Sequence, residues 1–128
     1  MKSLIYIELT ESVPTAYEKE LISWAKNQFP GISTFDLDNH SEVLMFSYAE
    51  TLAEQADRLV VYVKTREVPA GKFIRLAEKL IARKFPILVI MQGENALLSR
   101  MFSVLKDSFY KGLSEEEGKK MTEEFLGQ

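Results

Sequence analysis

The sequence predicts a small α/β domain built on a doubly wound, four-stranded parallel sheet. Three observations predict it. Four short apolar runs are spaced along the chain: Leu4–Ile7, Ile32–Leu37, Leu59–Val63 and Ile87–Met91. Three of them are near-continuous rather than alternating, as in strands buried on both faces. Segments with helical spacing lie between them, giving the order β-α-β-α-β-α-β-α-α.

The first run is short and closed by Glu8. A helix follows, with Pro14 at its start and Leu21, Ile22, Trp24, Ala25 and Phe29 at helical spacing up to Pro30-Gly31. The second run alternates, which fits an edge strand. Asn39 or Ser41 can cap the next helix, whose apolar face is expected to hold Val43, Leu44, Phe46, Leu52, Ala53 and Ala56. Pro69-Ala70-Gly71 opens a third helix that turns Phe73, Ile74, Ala77, Leu80 and Ile81 inward and stops at Pro86. A fourth helix is expected from Ala96 to Tyr110. Ser114-Glu115-Glu116-Glu117 reads as a capping box for a last helix ending near Leu126. Right-handed crossovers then give the spatial order 2-1-3-4. Residues 1–112 form one domain, with 113–128 as a C-terminal helix or tail packed on it.

A chain of 128 residues can bury a proper core. The net charge of -3 argues against a general nucleic-acid binder. Without cysteine there is no disulfide, no thiolate catalysis and no cysteine-ligated metal. No apolar stretch approaches a membrane span, and the first run is too short for a signal peptide, so a cytoplasmic protein without a membrane role is expected. Charge is uneven: residues 1–57 carry -7, residues 58–84 carry +6, and residues 85–128 carry -2. A basic middle in an acidic chain marks an anion site or a partner-facing surface.

In open parallel sheets ligands bind beyond the carboxyl ends of the strands, where the strand order reverses. That rule selects the loops after the four strands. The ligand-binding candidates on this rim are Thr10, Ser12, Asp38, His40, Lys64, Arg66 and Lys72. The segment Lys64–Lys72 ends at the start of a helix, where free N–H groups, Gly71 and the basic side chains suit a phosphate or carboxylate. Lys72, Arg75, Lys79 and Arg83 also form one helical stripe, which a solvated basic face explains as well. His40 is the only histidine, and no nucleophile accompanies it. Dinucleotide, P-loop, nucleophile-elbow and zinc-protease motifs are absent, so no catalytic residue, metal ligand or cofactor is assigned.

One stretch carries a family resemblance. Ala56-Asp57-Arg58-Leu59-Val60-Val61-Tyr62-Val63, then Gly71, then Arg83-Lys84-Phe85-Pro86-Ile87-Leu88-Val89-Ile90, resembles the nucleoside 2-deoxyribosyltransferase-like group over about 35 residues. The resemblance implies a flavodoxin-like sheet and a cleft for a nucleotide or sugar phosphate. The group's nucleophile is a glutamate four residues after that glycine. Arg75 stands there, and Lys72 takes the place of the group's threonine. Arginine cannot meet an oxocarbenium-like carbon as a carboxylate does, so the chain resembles a member without the chemistry.

The expected helix 96–110 is apolar on more than one face: Leu97, Leu98, Met101, Phe102, Val104, Leu105, Phe109 and Tyr110. The surplus points either to packing beneath the 114–126 helix or to a homo-oligomer contact through this helix. Two expectations follow. One is a non-catalytic interaction or regulatory module, homodimeric through residues 96–110. The other is a nucleotide- or sugar-phosphate-binding protein related to the N-glycosidases.

Overall fold

The structure, a computed structural model, describes residues 1–10, 16–38 and 41–127. Its strands are β1 (Lys2–Leu9), β2 (Ser33–Asp38), β3 (Arg58–Thr65), β4 (Ile87–Gln92) and β5 (Phe109–Lys111). Its helices are α1 (Ala16–Gln28), α2 (Val43–Gln55), α3 (Phe73–Ile81), α4 (Ala96–Phe102) and α5 (Glu115–Leu126). All strand pairs are parallel, in the order β2-β1-β3-β4-β5. This is the flavodoxin-like α/β arrangement, with five strands where the sequence predicts four.

Two apolar layers sandwich the sheet. Ile5, Ile7, Leu9, Val61, Val63, Val89 and Met91 face α2, α3 and α4, whose Phe46, Ala49, Phe73, Leu76, Leu80, Leu98 and Phe102 close that side. The alternate residues Leu4, Tyr6, Val60, Tyr62, Leu88 and Ile90 meet Leu21 and Ala25 of α1 and Leu126 of α5. The near-continuous apolar runs are therefore explained: both faces of the central strands are dry. Tyr62 keeps its phenol satisfied against α5, 2.8 Å from Thr122 Oγ1, with Gly118 leaving room for the ring.

The fifth strand corrects the expected 96–110 helix. The α-helix ends at Phe102, a 3-10 turn occupies Ser103–Ser108, and Phe109–Lys111 joins the open edge of β4. Ser103, Asp107 and Ser108 are weak helix formers whose side chains compete for backbone groups. Ser103 Oγ already bonds the Ser99 carbonyl at 2.5 Å, and Lys106 takes a positive φ of 52°. The unpaired edge of β4 offers the backbone a better set of partners. Phe109 then packs on Phe102 at a centroid distance of 5.7 Å, while Tyr110 turns to the α5 side. Of the apolar surplus, Leu97 and Val104 remain outside.

Two further expectations change. On α2 the inward residues are Phe46, Ala49 and Ala53, whereas Val43 and Leu44 are exposed. The basic stripe of α3 is not simply solvated, because it clamps α2. Arg75 Nε lies 3.2 Å from Glu50, Lys79 Nζ lies 3.0 Å from Glu54, and Arg83 donates to the carbonyls of Ala53 and Ala56. Those carbonyls close the C-terminal end of α2, where intrahelical partners run out.

The capping box at α5 forms as predicted. Ser114 Oγ accepts the Glu117 N–H at 3.1 Å, and Glu117 Oε1 accepts the Ser114 N–H at 3.0 Å. The Ser114 N–H, and then its hydroxyl, hold the Glu117 carboxyl below its ordinary pKa. A lowered folded-state pKa means the bond stabilises above the ordinary carboxylate range and is lost as pH falls through the lowered value. Protection of the Ser114 amide against hydrogen exchange should therefore be lost only as the pH falls below the ordinary carboxylate range. Glu117→Gln keeps an acceptor and should flatten that dependence. An unchanged pH profile in the variant would show that another group is responsible.

Candidate functional site at the carboxyl edge

Parallel register builds the site. Glu8, the eighth residue of the chain, pairs with Asp38 on one side and Lys64 on the other, and Lys64 pairs with Gln92. Asp38, Glu8, Lys64 and Gln92 thus form one row across four strands. Side chains alternate along a strand, so this row shares a face with Tyr6, Tyr62 and Ile90, the side covered by α1 and α5. It lies at the carboxyl end of the sheet, between β1 and β3, where the connections leave in opposite directions.

Glu8 stands out within the row. It is 1% exposed, and neither carboxylate oxygen has a hydrogen-bond partner among the described residues. Its nearest cation, Lys64 Nζ, is 4.0 Å away, and the Lys64 side chain is 36% exposed. That separation compensates charge without making a hydrogen bond. A buried carboxylate so placed costs several kcal/mol of lost hydration, and such groups concentrate at functional sites.

The rim beside this row is held rigidly. Asn95 is buried and donates to the carbonyls of Arg66 at 3.1 Å and Val68 at 3.0 Å, while its Oδ1 caps α4 through the Leu98 N–H at 3.2 Å. Thr65 Oγ1 donates to the Leu9 carbonyl at 3.3 Å, tying the ends of β1 and β3. Glu67 Oε1 accepts the Ala96 N–H at 2.8 Å. Gly93, at φ +90°, passes so close that a Cβ there would sit 1.9 Å from the Thr65 carbonyl oxygen. The chain between β3 and α3 is thus pinned from β1, β4 and α4 together.

The sequence-predicted residues do not form one cluster. Asp38 and Lys64 join the row, and Thr10 follows directly after β1. Ser12 and His40 lie outside the described residues. Arg66 is exposed beyond the end of β3. Lys72 precedes α3, on the opposite face of the sheet from Glu8, and its Nζ donates to the Ser41 carbonyl at 3.1 Å. Lys72 therefore lies across the sheet from Lys64. Glu8 was legible as the polar end of the first run, but only the register shows that it shares a row with Asp38, Lys64 and Gln92.

No helix among the described residues is long and apolar enough to cross a membrane. Among the described residues no group of three or more acidic or histidine side chains gathers as a metal site. Neither a known family model nor a curated protein matches the chain.

The pinning of this rim is testable at Gly93. Alanine at Gly31, which has a similar φ of +88° but open space around it, should cost about 1 kcal/mol. Alanine at Gly93 meets backbone as well as strain and should cost more than about 3 kcal/mol by urea unfolding. Equal costs would show that the close approach to Thr65 carries no weight.

Proposed function

We propose that the chain binds a small polar molecule at the carboxyl edge of its sheet, between β1 and β3, with Glu8 as the innermost contact. The observation that carries this reading is the buried Glu8 carboxylate without a hydrogen-bond partner among the described residues. A carboxylate kept in that condition weakens the free protein and is suited to a ligand that completes its bonding. Asp38, Lys64 and Gln92 extend the same row, and Thr10 follows β1 at its edge. The loop after β3, at the same end of the sheet, is pinned through Asn95 and by the close approach of Gly93.

The likeness to the deoxyribosyltransferase-like group supports a nucleoside or sugar as the class to test, without supporting glycosyl transfer. Arg75, at the nucleophile position, is paired with Glu50 on the far face of the sheet. The reading as an interaction module draws on the absent catalytic motifs and on the apolar 96–110 segment, of which Leu97 and Val104 remain exposed. Binding at the carboxyl edge is the reading the geometry supports better.

A thermal-shift panel of nucleosides, nucleotides, sugars and sugar phosphates tests it. A ligand at a hundred times its Kd should add about 2.7 kcal/mol of stability. The gain should disappear in Glu8→Gln and persist in Lys72→Ala. A gain lost in Lys72→Ala and kept in Glu8→Gln would move the site to the α3 side, and silence across the panel would remove the reading.

A further inference from the structure

Charge and hydrogen-bond capacity are separately accounted for at Glu8, and the two together narrow the ligand. The Glu8 carboxylate has a cation 4.0 Å away, so its charge is already compensated. Its two oxygens lack donors among the described residues, so its hydrogen bonding is not. An ammonium group brought to the carboxylate would stand beside Lys64 and be repelled by it. A phosphate would face Glu8 with Asp38 next in the row, and only Lys64 stands beside them to offset three negative groups. Lys72 is turned to the Ser41 carbonyl across the sheet, and Arg66 is exposed past the end of β3. What remains is a neutral donor.

We infer that the Glu8 site takes a neutral group presenting two adjacent hydrogen-bond donors, one for each carboxylate oxygen. This rests on the proposed binding at the carboxyl edge and specifies the chemistry of that same site. A carboxylate accepts two parallel donors well, and its bonds are stronger than those of a neutral acceptor. Two sources fit this chemistry: the vicinal hydroxyls of a sugar, and the edge of a purine whose ring N–H lies beside an amino group.

Matched probes separate these sources. The protein, carrying 13C-labelled glutamate, is titrated with guanosine, 2′-deoxyguanosine, inosine and 2′-deoxyinosine, and with ribose against 2-deoxyribose. The Glu8 carboxyl resonance, assigned by its absence in Glu8→Gln, reports contact, and calorimetry reports affinity. Loss of one hydrogen bond to a charged acceptor should weaken binding by roughly tenfold or more. If the diol is read, the deoxy analogues lose that factor and guanosine equals inosine. If the purine edge is read, inosine loses it and the sugar change is silent. Equal binding by all four nucleosides would overturn the paired-donor inference. So would a Glu8 shift produced by inorganic phosphate or methylammonium and by none of the paired-donor probes, although edge binding would then stand. No Glu8 shift with any probe, together with a silent thermal panel, would overturn both.

Discussion

The register of β1 between its two neighbours is the constraint on which the rest depends. β1 is paired along its length with both β2 and β3, and the chain leaves it first toward one side and returns to the other. A one-residue slip would exchange the two apolar layers, moving Ile5 and Ile7 to the α1/α5 side and Tyr6 away from it. The same slip would dissolve the row Asp38, Glu8, Lys64 and Gln92. Folding and site are therefore specified by one alignment, and the buried apolar residues enforce it.

The apolar layers also explain how a poorly bonded carboxylate is tolerated. A small domain is stable by a narrow margin, and a buried ion short of hydrogen bonds is a large fraction of it. The stabilising features lie close by. Asn95 and Thr65 tie the strand ends, Gly93 lets β4 approach the loop after β3, and α3 clamps α2 through Arg75, Lys79 and Arg83. These contacts hold the rim in place whatever occupies it. The basic segment 58–84 thereby acquires a structural role, since several of its charges meet α2 carboxylates and carbonyls rather than an outside anion.

Much of the fold was legible in the sequence, for reasons that mark where legibility stops. Leu59–Val63 and Ile87–Met91 are buried on both faces, so their composition alone identifies them. Ser114 and Glu117 form a local motif whose partners are three residues apart. Phe109 and Tyr110 fall within the expected 96–110 helix because so short a strand carries no period of its own, and Phe109 continues the spacing of Phe102 and Leu105. Only the open edge of β4 makes Phe109–Lys111 a strand. Lys72 and Arg66 looked like site residues because charge near a glycine is visible in sequence, whereas the face on which a helix packs is not. Glu8 shows the converse. A glutamate ending a short strand reads as a wet terminus until the register buries it beside Lys64.

The central claim is that Glu8 is held for a ligand and works against the stability of the free protein. Replacing it by leucine tests this most directly, with equilibrium urea unfolding of the ligand-free protein as the measurement. Lys64 is exposed enough to keep its ammonium in water once the carboxylate is gone. The account predicts that Glu8→Leu unfolds at higher urea with an unchanged m-value, a gain of about 1 to 3 kcal/mol. A loss of stability of similar size would contradict it, because Glu8 would then be a structural partner of Lys64 and not a group awaiting one.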